Sequence, residues 1–167
     1  MIADEGLKSL MPLDKCASQP YFSNRIQLAD LIEWVVGQIG RADIRISTFS
    51  TSEEFLRRLY RMKCRDLIGS CTLVCDFRAA RKTLALHAFI KSVFDAVFLC
   101  GNHSKVVLLS SATCKVSIVT SQNQTRGDRY EAGIVSNAPA TFSRLSETFR
   151  TMTENSYSID ELLTNNN

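Results

Sequence analysis

In the stretch "CGNHSKVVLLSS" (Cys100–Ser111) a histidine and a lysine stand two residues apart, and four consecutive aliphatics follow directly. Residues two apart on an extended chain project to one side. His103 and Lys105 are therefore expected to point together from the entrance of a buried strand. The pair suits an anion such as phosphate. Lysine brings a compact positive charge, while imidazole, titrating near ~6.5 when unperturbed, attacks as a neutral base or donates as a cation. Taken alone, a His-x-Lys triplet is common, and a surface histidine at a strand start is the plainer account.

The following stretch, "CKVSIVTSQNQTRGDRYEAGIV", gives the pair company. Its apolar alternation stops at Val119 and delivers Thr120, Ser121 and Asn123, then Thr125, Arg126, Arg129 and Glu131. With the two strands side by side, the Ser121 hydroxyl and the Asn123 amide share a face, where they could bind phosphate oxygens or hold the histidine ring. Glu131, entering a further strand, is placed to accept the other ring N–H and select the attacking nitrogen.

These residues must be positioned by elements that are legible upstream. "SNRIQLADLIEWVVGQIGR" spaces Leu28, Leu31, Ile32, Val35 and Ile39 along one stripe, predicting an amphipathic helix from a Ser23 cap to about Gly40. "ADIRISTFS" alternates as a strand, and Thr51 with Glu54 forms a capping-box pattern for a second helix burying Phe55, Leu56, Leu59 and Met62. "DLIGSCTLVCDF" reads as a strand and "RAARKTLALHAFIKSVFDA" as a third helix. "VFLC", "SKVVLLS", "CKVSIVTS" and "EAGIVSN" read as four short strands, and a last helix starts after Pro139. The order predicts an α/β fold with a mixed β-sheet flanked by helices. Domain bounds are expected as an N-terminal extension (1–22), the α/β domain (23–155) and a polar, frayed tail (156–167).

The motif residues together resemble the active-site half of the phospholipase D superfamily. Its pattern is His-x-Lys with an Asp five positions after the Lys, then Gly-Ser and an Asn, with a Glu often following. Here His103-Ser104-Lys105, Ser121, Asn123 and Glu131 stand in that order, while Ser110 occupies the Asp position and Thr120 the Gly position. The resemblance implies a phospholipase D-like single domain. It also implies a metal-independent phosphodiesterase, most simply a nuclease, working through a phosphohistidine with no cofactor. His103, Lys105, Asn123 and Glu131 would be catalytic, and Ser121, Thr125, Arg126 and Arg129 would bind substrate. Members use two copies of the motif, and this chain has one, so a homodimer with a shared site is implied. The alternatives are a family-derived binding or structural module without turnover, and an unrelated α/β domain.

Composition fits one globular unit. The chain has 167 residues, 45% of them hydrophobic, and a formal charge of +3, too mild for a dedicated nucleic-acid binder. "RRLYRMKCR" (Arg57–Arg65) concentrates five cations and, with Arg78, Arg81, Lys82, Arg126 and Arg129, could guide a nucleic-acid backbone, although a solvated helix face explains it more simply. The first residues carry no apolar run, so neither a signal peptide nor a membrane span is expected, and a cytoplasmic setting with six reduced cysteines follows. Cys71 and Cys75 read as buried thiols in preference to zinc ligands.

Overall fold

The computed structural model describes residues 6–124 and 128–164. Eight strands form one mixed sheet: β1 (Ser18–Ser23), β2 (Ala42–Ser47), β3 (Ile68–Asp76), β4 (Ala96–Cys100), β5 (Val106–Ser111), β6 (Lys115–Thr120), β7 (Glu131–Ser136) and β8 (Tyr157–Ser158). Their order across the sheet is β1-β7-β6-β5-β2-β3-β4-β8. β2, β3 and β4 run parallel, and every other neighbouring pair is antiparallel. The central strands are covered on both faces, which is why β3 and β5 read as nearly unbroken apolar runs.

One face is packed by α1 (Leu28–Ile39), α2 (Glu53–Cys64) and α4 (His87–Val93), whose stripes bury Leu31, Ile32, Val35, Leu56, Leu59, Met62 and Ile90 against Ile44, Ile46 and Leu73. The opposite face is packed by α5 (Pro139–Glu154), where Phe142 and Phe149 meet Val74 and Leu108. α3 (Ala80–Ala85) and α6 (Ile159–Thr164) complete the set. Among the described residues no helix is long and apolar enough to cross a membrane.

Several expected boundaries move. Residues 18–23 extend as an edge strand paired with β7, so α1 begins at Leu28 with Gln27 at its N-cap and not at Ser23. α2 is capped by Ser52, whose hydroxyl accepts from Phe55 N, because Thr51 is drawn into a bridge with Gln124. The expected third helix is a 3-10 turn (Phe77–Ala79) followed by α3 and α4, separated at Leu86. The stretch read as a polar tail supplies β8 and α6, with Ile159 buried in the core.

The topology decides where chemistry can gather. Crossover helices return β2, β3 and β4 in the same direction, so their C-terminal ends share one edge of the sheet, where α/β folds collect ligands. β5 runs against β2 and starts at that edge. β6 then ends there, and β7 starts there.

Candidate functional site at the strand-end edge

The connection from β4 to β5 carries His103 and is anchored from beneath by a carboxylate. Asp76, at the end of β3, has a side chain only 2% exposed. Its Oδ1 accepts from Arg78 N and Arg78 Nε, both at 2.8 Å, and its Oδ2 accepts from Asn102 N at 2.7 Å. The Arg78 guanidinium, with the N–H groups of Asn102 and Arg78, holds the Asp76 carboxyl well below the usual carboxylate range against the opposing effect of burial. Asn102 extends the network. Its Nδ2 donates to Ser47 Oγ (2.9 Å), and its Oδ1 accepts from Ser104 N (2.9 Å) and Ser104 Oγ (2.7 Å). The Ser47 and Ser104 hydroxyls lie 2.6 Å apart. The ends of β2 and β3 thus clamp Asn102 and Ser104, the residues on either side of His103.

His103 itself is exposed. Its ring packs on Phe49 (centroids 5.5 Å apart), and the Arg78 guanidinium lies over the same Phe49 ring, 5.2 Å from its centroid. Lys105 Nζ donates to the His103 carbonyl at 2.8 Å and lies 3.4 Å from His103 Nδ1. An ammonium can only donate, so a contact of this kind leaves the neutral ring's proton on Nε2. That tautomer can donate a proton outward. Attack through Nε2 requires Nδ1 to carry the proton and face an acceptor.

The remaining expected residues fall into separate groups. Ser121 Oγ donates to Glu131 Oε2 and accepts from Ala132 N at 3.0 Å, so the Glu131 carboxylate is taken by serine while the imidazole meets Lys105 and Phe49. Asn123 lines a cavity of about 290 Å³ with the start of α1 and the first turns of α2, and its Oδ1 is buried without a partner among the described residues. Arg129 is exposed. Thr125 and Arg126, and the side chain of Lys82, lie outside the described residues. Ser110, standing at the Asp position of the motif, sits opposite Asp43 of β2 and Lys115 of β6. That is five strand residues beyond Lys105, roughly 17 Å away at about 3.4 Å per residue, near the opposite edge of the sheet.

The basic run on α2 is largely neutralised. Arg57 pairs with Glu53, Arg58 with Asp30 and Glu33, Lys63 with Asp95 and Arg65 with Glu33. Four of its five cations are therefore matched by carboxylates, which weakens any field it presents to a polyanion. Cys71 and Cys75 are both buried in β3, and burial pushes the Cys71 thiol up. Asp76, Asn102, Ser47 and Phe49 have no part in the motif read from the sequence. One signal was available: in "LVCDF" a charge directly follows a buried apolar run, at the strand end where a sheet gathers its ligands.

No family model and no curated protein matches the sequence. Solved structures do share its fold. Nuc from Salmonella typhimurium, a phospholipase D family member, superposes with a TM-score of 0.66 at 19% identity, covering 84% of this chain and 96% of Nuc. NucT from Helicobacter pylori gives 0.64 at 13% identity, covering 85% and 99%. The archaeal chromatin protein TrmBL2, whose structure shows a mode of DNA binding, gives 0.59 at 7% identity, covering 92% of this chain and 58% of its own.

Proposed function

Since the chain has a phospholipase D-like fold, we propose that it is a phosphodiesterase acting on nucleic acid, with His103 as nucleophile and a homodimer as the working form. The observation that carries this reading is the imidazole–ammonium pair at the strand-end edge, on a connection braced by buried Asp76 and Asn102. Such bracing holds the exposed ring's backbone still, and fixed geometry is what a displacement at phosphorus needs.

In the first step His103 Nε2 attacks phosphorus. The N–P bond forms, the P–O bond to the leaving oxygen breaks, and the partner's His103 gives that oxygen a proton. In the second step water attacks phosphorus, its proton passes to the partner's His103, and the N–P bond breaks to restore the imidazole. Lys105 from both copies neutralises the equatorial oxygens. An incoming phosphate offers acceptors to the Lys105 ammonium and the Ser121 hydroxyl. That frees Nδ1 to carry a proton and releases Glu131 from Ser121, and the attacking tautomer then requires the carboxylate to move to Nδ1 and accept from it. The Asn123 Nδ2 donor is assigned to the reacting phosphate, its Oδ1 staying on the cavity side, and Thr125, Arg126 and Arg129 to the flanking backbone. The scheme needs no metal.

The second copy has a surface to occupy. Val119 pairs with Ile134 across β6 and β7, and Phe22 pairs with Ala132 across β1 and β7, all on the face that α5 covers farther along the sheet. Ile134 is 49% exposed and Phe22 75%, and Phe22 packs on Tyr130 with ring centroids 5.6 Å apart. This bare apolar area adjoins Ser121 and Glu131, so a copy seated on it meets the site.

Hydrolysis of bis-p-nitrophenyl phosphate and of a labelled oligonucleotide in EDTA tests the reading. Wild type should turn over, His103→Ala should not, and mass spectrometry of a quenched reaction should find a nucleotidyl adduct on His103. Equal rates in both proteins would remove the enzyme. A second reading, nucleic-acid binding without turnover, is favoured by one contact: Glu131 is held by Ser121 while Nδ1 faces a donor. It requires salt-sensitive binding with no cleavage under any of these conditions.

A further inference from the structure

We propose that the cavity beside Asn123 is a nucleobase subsite and that the substrate is an unpaired strand whose amino-bearing base turns into it. The assignment rests on the nucleic-acid reading above and specifies which nucleic acid is taken. At about 290 Å³ the cavity falls just below the range of small-molecule pockets, about 300 Å³ and upward. It has room for one ring system and none for a duplex.

Its walls are chemically mixed in a way that fits a base better than a phosphate. Side-chain amides enter from Asn24, Gln27 and Asn123, and apolar surface from Ala29 and Phe55. Of the two guanidiniums among its described lining residues, Arg58 is held by Asp30 and by Glu33. Among the described lining residues, Asp30, Glu54 and Asp128 stand against Arg25 and Arg58, so this lining leans negative and disfavours a bare anion. Carboxylates and amide oxygens accept hydrogen bonds, and Asn123 Oδ1 is a buried acceptor with no donor among the described residues. A buried acceptor left empty is costly, so it selects a ligand with an N–H to give. Cytosine and adenine bring to their pairing edge an exocyclic amine with two N–H donors, whereas thymine offers a single ring N3–H flanked by two carbonyls that an acceptor-rich lining repels. In a duplex those edges are paired and stacked, and only an unpaired nucleotide can turn one into a side pocket.

The position joins this pocket to the chemistry. Asn123 lies two residues beyond Ser121, whose hydroxyl is bonded to Glu131. The subsite requires a nucleotide seated there to direct its own phosphate past Ser121 along the strand-end edge.

The test uses full-length His103→Ala protein, so that binding is read without turnover. Fluorescence anisotropy in EDTA at one fixed salt concentration compares short oligo(dC), oligo(dA), oligo(dT) and a duplex. Oligo(dC) and oligo(dA) should bind about five- to tenfold more tightly than oligo(dT) and the duplex, the size of one well-made hydrogen bond. Ala29→Leu, which fills the cavity from α1, and Asn24→Ala, which removes an amide, should each reduce that preference to about twofold or less. Equal affinity for all four probes, or an undiminished preference in both variants, overturns the subsite. Hydrolysis of bis-p-nitrophenyl phosphate, which has no base, is read in parallel on proteins retaining His103. Its absence from wild type would refute the phosphodiesterase and leave base selection standing.

Discussion

Replacing Asn102 probes the brace under His103 directly. The residue is 4% exposed, and its amide makes one good bond through Nδ2 to Ser47 and two through Oδ1 to Ser104. In Asn102→Ala the Ser47 and Ser104 hydroxyls keep each other, and exposed Ser104 can turn its N–H to water. The Val74 carbonyl still accepts from Thr48 N. The uncompensated loss is therefore about two net hydrogen bonds at roughly 1 kcal/mol each, plus a small void, or about 2–3 kcal/mol. At about 2–4 °C per kcal/mol for a chain of this size, Tm should fall by about 5–10 °C. Asn102→Asp keeps the acceptors for Ser104, yet it removes the donor to Ser47 and sets a second carboxylate beside Asp76. It should be at least as damaging at neutral pH, and its deficit should shrink on acidification, since the protonated acid regains a donor. Thermal unfolding followed by circular dichroism gives both numbers, with His103→Ala as the exposed control expected within about 0.5 kcal/mol of wild type. An Asn102→Ala protein melting within about 1 °C of wild type, or an Asn102→Asp protein as stable as wild type at neutral pH, would refute the network as a structural brace.

Further outcomes follow from the same geometry. Ser110→Asp restores the motif's acid but lies roughly 17 Å along β5 from Lys105, so kcat on bis-p-nitrophenyl phosphate should stay within about twofold of wild type; a large gain would show that the far strand end communicates with the site. Asp76→Asn should be less stable than wild type at neutral pH. Because Arg78 and two backbone N–H groups hold the Asp76 carboxyl below its unfolded value of ~3.9, the folded state resists protonation. Its contribution is complete above that value and is lost as pH falls further. Denaturant melts should accordingly show a constant gap from neutral down to about pH 5 and convergence below about pH 4, and a gap that widens on acidification would reverse the sign. Ile134→Glu places a charge on the bare face of β7. Sedimentation equilibrium should report a monomer where wild type is a dimer, and turnover should fall with it; an unchanged dimer would move the interface elsewhere.

Much of this protein could be read along the chain because its signals are local. The stripe from Leu28 to Val36, the alternation of β2 and the apolar runs of β3 and β5 each state a period, and period alone separates helix from strand. His103 and Lys105 ahead of Val106–Leu109 likewise announced a polar strand entrance, and the order of Ser121, Asn123 and Glu131 after it carried the likeness to a fold that superposition then found. Where local signals were weak, boundaries slipped. Pro20 obscured β1, which tolerates it as an edge strand, and Thr51 looked like a cap until its backbone bridged to Gln124.

Tertiary structure alone decided the surroundings of the imidazole. Ser47 and Asp76 end β2 and β3 and Asn102 lies two residues past β4, and they meet because β2, β3 and β4 lie parallel side by side. Strand order is set by the long-range packing of both sheet faces, which no short stretch encodes. The same order sent the Glu131 carboxylate to Ser121, opened the cavity beside Asn123 and carried Ser110 to the other edge of the sheet. Residue types and spacing fixed which groups were available for the reaction. Which of them touch was settled by the burial of Leu73, Val74, Val107 and Leu108 between two helical layers, since that burial locks the strands in place.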